Sequence, residues 1–474
     1  DALMAITGCY DQLQSHHIYD SDPWGGGMIR WDCMSDNGYA NWKWMQGGAV
    51  ARGEHSATDN FLYNTWMNLY RGIGRCNTAI KNIGEMDETQ IEPATKARVV
   101  AEARFIRALL YNLLTMHFRD VPLIKEPLTV EESEVAKTDQ SEIVDFIISE
   151  LNAIVSDLPD PDELLGSEWG KATSGAALSL LARVYLYYGQ WANAASTAQQ
   201  VIDLGAYTLF PDYKNLFQVD NEVNNEVIFP VCFERGPDED GANFAGYWGA
   251  NAVVYQRVLE NLANEYYCTD GLPIDQSPLY NADNPYENRD PRFDATIVSK
   301  NSIWRGGTIS WSKINFTGYT MRKWTEEYNS ENHFDTPQDF FVIRYGHVLL
   351  IRAEALVESG GSETEITGLI NQLRDRVGMP HVEDVEGTGL STDQLRELVR
   401  HERRIETAFE GLRYIDLKRW GILGERIQYY NENDVANWPK LPVYNWDDTK
   451  FRVWPIPENE LDRNKNLVQH IEWQ

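Results

Sequence analysis

The residues best equipped for chemistry sit in a glycine-broken stretch, "DPWGGGMIRWDCMSDNGYANWKWMQGG", running from Asp22 to Gly48. It carries four tryptophans, Trp24, Trp31, Trp42 and Trp44, among the polar side chains of Asp22, Arg30, Asp36, Asn37 and Asn41. A flat indole covers the apolar CH face of a sugar ring, and Asp, Asn and Arg bond its hydroxyl rim. Small-ligand sites generally pair apolar area with a few placed polar groups in this way. Trp42 and Trp44 are two apart, so an extended strand would put both rings on one face with Lys43 opposite. Two readings stand for that pair: a ligand platform, or rings packed under the loop against neighbouring helices. Trp31, between Arg30 and Asp32, is expected underneath. A second aromatic segment, 240–325, offers Phe244, Tyr247, Trp248, Trp304, Arg305 and Trp311, whereas Trp324 in "MRKW" is expected to pack into the scaffold.

Catalytic patterns are weak by comparison. A glycosidase needs two carboxylates about 5–10 Å apart, but with 72 acidic residues such pairs arise by chance. "HERRI" (401–405) approaches a zincin helix, yet Ile405 stands where the second histidine would be. "RGIGRCN" (71–77) has G-x-G spacing inside a helical period and is no dinucleotide fingerprint. There is no G-x-S-x-G elbow. The charges Glu402, Arg403, Glu406, Glu410, Arg413, Asp416 and Arg419 follow helical spacing and read as ion pairs within a scaffold. The expectation is a binder, not an enzyme, without a cofactor. The acidic loops leave a structural calcium conceivable, although no EF-hand pattern is present.

Lys plus Arg number 42 against 72 Asp plus Glu, a formal charge of −30. Such a field repels nucleic acid and anionic headgroups and suits a neutral ligand. Aromatic residues make up 12% of the 474-residue chain, with 16 Trp and 24 Tyr. Cys9, Cys33, Cys76, Cys232 and Cys268 form no CxxC or CxxH motif and no even-numbered disulfide framework. No apolar run reaches the length of a membrane-spanning helix.

Helices must position these aromatic segments. The stretch 61–83 places Trp66, Leu69, Tyr70, Ile73, Asn77 and Ile80 on one face, and 94–118 repeats the spacing through Val99, Ala103, Ile106 and Leu110. The stretch 171–209 reads as a helical hairpin broken at Gly189 and ended at Gly205. Small residues (Ala182, Gly189, Ala194, Ala195, Ala198) stand where its arms approach, the tetratricopeptide pattern. Residues 340–380 form a looser second copy stopped at Gly360 and Gly361, and 94–118 pairs with 141–156. Ser362 with Glu365, and Ser391 with Gln394, have capping-box spacing. Residues 210–338 and 430–474 are Gly-, Pro-, Asn- and aromatic-rich loop and short-strand text. The predicted fold is therefore mainly α: tetratricopeptide-like hairpins as a scaffold at about 1–20, 50–209 and 339–425, with an irregular half at about 21–49, 210–338 and 426–474.

Several segments, in order along nearly the whole chain, resemble the SusD/RagB family: "AEARFIRALLYNLLTMHFRDVPLI", the 171–209 hairpin, "NRDPRFDATI", "HERRIETAFEGLRYIDLKRWG" and "VWPIPENELDRNKNLVQH". The block 402–421 is the most specific. Two departures fall at scaffold positions: Arg344-Tyr345-Gly346-His347, where the family often has R-Y-A-E, and Gln469-His470, where it often has Gln-Asn. The resemblance implies a non-catalytic outer-membrane lipoprotein at the cell surface, its lipid anchor upstream of Asp1. Such a protein caps a SusC-like TonB-dependent transporter and delivers glycan to it. Some relatives serve peptide uptake, which is the alternative. The resemblance also implies a glycan face built from the early loop and the region after the "RDPR" motif (289–292). The ligand-binding set is then Asp22, Trp24, Asp36, Asn41, Trp42, Trp44, Tyr247, Trp248, Trp304, Arg305 and Trp311.

Overall fold

The computed structural model describes residues 2–21, 27–40, 45, 47–163, 166–236, 241–244, 256–300, 302–325 and 335–474. Ten helices carry the frame: α1 (Ala2–Asp11), α2 (Asn60–Gly84), α3 (Pro93–Phe118), α4 (Gln140–Ile154), α5 (Ser174–Tyr187), α6 (Trp191–Asp203), α7 (Tyr345–Ser359), α8 (Glu363–Val377), α9 (Thr392–Glu406) and α10 (Arg413–Arg419). They pack as a chain of neighbours. α1 lies on α2 and α3, α3 joins α2 to α4, and α5 and α6 follow. α7 then stacks on α6 and holds α8 and α9.

Local chemistry sets the ends of these helices. Asp59 caps α2 by accepting from Phe61 N, Thr173 caps α5 by accepting from Ala176 N, and Pro93 starts α3. The α5–α6 hairpin turns at Gly189, whose φ of 75° is open to glycine at little cost. The Ser391–Gln394 capping box forms in full. The Ser362–Glu365 pair does not: Ser362 offers only its carbonyl to Glu365 N, with no side-chain cap. The stretch expected to open the 340–380 hairpin as helix is instead a strand over Phe340–Arg344, and helix begins at Tyr345. "FFVIR" is buried throughout and pairs antiparallel with "VIFPV", Val227–Val231. A short run that is apolar up to Arg344 fits either state by periodicity, and the paired partner decides it. No helix among the described residues is long and apolar enough to cross a membrane.

Eight short strands occur among the described residues: β1 (Gly38–Ala40), β2 (Val227–Val231), β3 (Gln256–Val258), β4 (Ile297–Ser299), β5 (Ile303–Trp304), β6 (Gly307–Thr308), β7 (Tyr319–Met321) and β8 (Phe340–Arg344). β1, β3, β7 and β4 form one four-stranded antiparallel sheet in that order.

A buried ionic cluster locks this sheet region to the helices. Arg292, Lys323, Arg344, Arg374 and Arg376 interleave with Glu226, Asp290, Glu402, Glu406 and Glu410, five cations against five carboxylates, every side chain at most 5% exposed. Charge balance and hydrogen bonding are what allow such burial, and removing one partner typically costs about 3–5 kcal/mol. Glu402, Glu406 and Glu410 of the 402–419 block are thus paired within the scaffold, but with cations far away in sequence rather than one helical turn away. Arg403 and Arg419 pair with Asp416, and Arg413 with Asp36. The "RDPR" segment belongs to the same cluster: Arg292 holds Asp290 at 2.7 Å and Glu402 at 2.6 Å, while Arg289 donates to Tyr266 O at 2.9 Å.

Candidate functional site

The two aromatic segments meet at the four-stranded sheet. Gly38, Tyr39 and Ala40 pair with Val258, Arg257 and Gln256, so the early loop and the region before residue 256 enter the ladder as neighbours. β4 and β7 pair Ser299 with Tyr319, and residues 300–318 leave from the opposite end. The strands are three residues long, so the two ends stand about 7 Å apart along the sheet. Asp22, Trp24, Asn41, Trp42, Trp44, Tyr247 and Trp248 lie outside the described residues.

Residues 303–314 form a small module. Hairpin β5–β6 turns through Arg305 (φ 51°) and Gly306 (φ 73°), and a four-residue helix follows at Trp311–Ile314. Val298, Trp304, Ile309 and Ile314 make a private hydrophobic cluster beneath it. Trp304 is 8% exposed, with the Arg322 guanidinium 5.6 Å and the Arg305 guanidinium 5.9 Å from its ring centre. Its indole therefore serves as the core of the module rather than as an open surface. Trp311 is 53% exposed, and it is the one exposed tryptophan among the described residues. Ile303, 60% exposed, lies in the same module.

Asp36 is removed from any open site. It is 2% exposed, with Arg413 Nε at 2.8 Å, Arg426 Nε at 2.6 Å and Arg404 Nη2 at 3.2 Å. Burial alone would raise its carboxyl, but the three guanidinium groups outweigh it and hold it far below the usual range. Asn37 accepts from Arg404 Nε at 2.9 Å and donates to Asp32 at 2.8 Å, and Asp32 accepts from Gly411 N at 2.7 Å. Asp36 and Asn37, read as hydroxyl partners, thus anchor the loop to α9 and α10. Their signal was present in the arginines of "ERRIETAFEGLRY", whose partners sequence spacing alone could not reach. Trp31 is buried, edge-on to His117 at 4.4 Å. Trp324 is buried and stacks on Phe340 at 5.2 Å, donating to Phe409 O, and Phe244 is buried near both. Trp66 is buried, whereas Trp191 and Trp420 are partly buried against the core.

No group of three His, Cys, Asp or Glu side chains that could hold a metal exists among the described residues. The five cysteines are free.

Comparison with known proteins fits this architecture. The profile of the SusD family matches residues 225–473, and a profile described as starch-binding, associating with outer membrane, matches residues 9–186. The SusD-like protein P2 of Formosa agariphila is 29% identical over 85% of this chain and 79% of its own length. Among solved structures, a SusD-like carbohydrate-binding protein from Bacteroides fragilis superposes with a TM-score of 0.86 at 30% identity, covering 98% of both chains. A second SusD-like protein from the same species gives 0.81 at 25% identity, over 99% of this chain and 96% of that one. Those folds are tetratricopeptide-like and helical, as here. With a profile spanning more than half its length and a close structural relative over nearly all of it, the chain belongs to the SusD family.

Proposed function

We propose that this chain is a non-catalytic glycan-binding protein of the bacterial cell surface that hands oligosaccharide to a SusC-like TonB-dependent transporter in the outer membrane. The observation that carries the reading is Trp311. Most of the described tryptophans are buried or partly buried, and this one is held open on a small module with its own core. Its module and the early loop converge on one short sheet, a spacing that suits an extended oligosaccharide better than a single ring. Support also comes from the solved relative named as carbohydrate-binding and from the family description that mentions the outer membrane.

In this reading the helices at about 1–20, 50–209 and 339–425 are the frame and the irregular half carries the ligand. Trp311 and Arg305 contribute to the face. Asn41, Trp42, Trp44, Tyr247 and Trp248 join them, because their segments flank the paired residues Ala40 and Gln256, and Asp22 and Trp24 are added on the family resemblance. A lipid anchor holds the protein to the outer membrane. Two or three stacked rings at about 1 kcal/mol each, with comparable help from hydrogen bonds, give micromolar to millimolar affinity. That range permits capture and release.

Titration of the protein with panels of oligosaccharides and peptides, followed by tryptophan fluorescence, tests the reading. A saturable response to a glycan is expected. A response to peptides alone would replace glycan by peptide as the cargo. Chromatography after long incubation with a bound polysaccharide should show no shorter products.

A further inference from the structure

The C-terminal ends of α3 and α5 converge on α10, and the tail at Arg452 and Val453 closes the gap. Between them lies a cavity of about 220 Å³. Its walls carry Arg119, Lys418, Arg419 and Arg452, and none of its lining residues is Asp or Glu. That is an unusual local balance in a chain of charge −30. Three of the four cations are answered from outside the cavity: Arg119 by Glu472 at 2.6 Å, Arg419 by Glu354 at 2.6 Å, and Arg452 by Asp448 at 2.8 Å.

Lys418 is different. It makes no ion pair with a described residue, and its hydrogen bond is a long one, 3.4 Å to Met116 O. Its ammonium otherwise faces the rings of Tyr414 at 5.4 Å and Trp454 at 5.8 Å. Burial brings this lysine down to about 7, with no carboxylate to offset the loss of water. His117 shares a wall of the cavity, but its ring is 1% exposed and enclosed by aromatics, stacked on Trp454 at 4.1 Å and edge-on to Trp31 at 4.4 Å.

We propose that this cavity binds one small oxyanion, a carboxylate, sulfate or phosphate group, with Lys418 Nζ as counter-charge. The group arrives either as a free inorganic ion or on an acidic sugar. The site shares no residue with the Trp311 face, so it stands or falls separately from the glycan reading. Arg452, half exposed, marks the mouth. The other titratable groups facing Lys418 are Tyr187, Tyr188, Tyr414, Arg119 and Arg419. Burial raises the three tyrosines, and Arg419 is raised too, so none of these four changes charge near neutrality. Burial holds His117 neutral.

Isothermal titration with sulfate, phosphate and glucuronate, at fixed ionic strength and a pH of about 6 where Lys418 is charged, tests the proposal. At least one anion should bind with a stoichiometry of one. Lys418→Met should weaken it about tenfold or more, and Lys418→Arg should stay within about threefold. Binding of the inorganic ions alone assigns the free ion, and binding of glucuronate alone assigns an acidic sugar. Should Lys418→Met fail to fold, the Lys418 ¹³Cε resonance of the wild type serves instead: the bound anion should raise its midpoint by about one unit. No saturable heat and no shift of that midpoint with any of the three anions would overturn the proposal. So would equal affinity of wild type and Lys418→Met.

Discussion

His347 shows how far one side chain can depart from its ordinary behaviour. Its Nε2 lies 2.7 Å from Glu410 Oε2, and its Nδ1 lies 3.1 Å from Arg183 Nη2. The arginine can only donate, so Nδ1 accepts and Nε2 carries the proton. Burial pushes the imidazole down to about 3 against the pull of Glu410. Nitrogen NMR at a pH of about 5 should therefore show a neutral Nε2–H ring. Below the unfolded value of about 6.5 the unfolded chain binds a proton that the native ring refuses. The His347 contribution is thus complete above that pH and declines by up to about 1.4 kcal/mol per unit toward a pH of about 3. His347→Gln should flatten urea-derived stability profiles across this window by about one proton. An unchanged slope would mean the ring titrates normally. The neighbouring Gly346 has a steric origin: a Cβ there would collide with Arg344 Nη1 and press on Glu406 Oε1 at 3.2 Å. Arg344 cannot yield, because Glu226, Glu406 and Glu410 all hold it. Gly346→Ala should lower stability by about 1–3 kcal/mol despite the better helix propensity of alanine, and a gain in denaturation midpoint would contradict this. The departures at Gly346 and His347 were visible in the sequence. Their meaning was not, because the residues that explain them lie some 60 positions away, at Glu406 and Glu410.

Among the elements, helix ends separate what spacing can and cannot establish. Ser391 and Ser362 have the same three-residue relation to Gln394 and Glu365, yet only Ser391 completes its box. Glu365 pairs with Arg352 instead. Ser391→Ala should cost about 1 kcal/mol in thermal or chemical denaturation and Ser362→Ala no more than a few tenths, and equal costs would show that the cap geometry differs from that described here. The α5–α6 hairpin, α2, α3 and their boundaries were legible because 3.6-residue periodicity and glycine stops act locally. "FFVIR" was not, because four consecutive apolar residues carry no period, and its strand state depends on Val227–Val231 more than a hundred residues upstream. The same limit hid Asp36. Its residue type suited a sugar hydroxyl, and only the folded chain brings Arg404, Arg413 and Arg426 to it.

At the scale of the molecule, a helical frame and a loop-rich half are joined by a neutral ten-member ionic cluster and by a sheet that gathers distant segments. Such an arrangement lets surface loops vary while their roots stay fixed. The overall charge of −30 bears on partners rather than on the fold, since the buried cluster is balanced and the excess must lie nearer the surface. The aromatic richness divides accordingly: Trp31, Trp66, Trp324 and Trp454 fill cores, Trp304 fills a module, and Trp311 faces solvent. Composition alone could not sort them, since burial is a property of the assembled elements. The most direct test of the glycan-binding account is calorimetric titration of a responsive oligosaccharide into wild type and Trp311→Ala, with melting temperatures measured alongside. Loss of one stacking ring should weaken binding about fivefold, near 1 kcal/mol, and leave the melting temperature within about a degree. Unchanged affinity, or a loss of affinity that tracks a large drop in melting temperature, would contradict it.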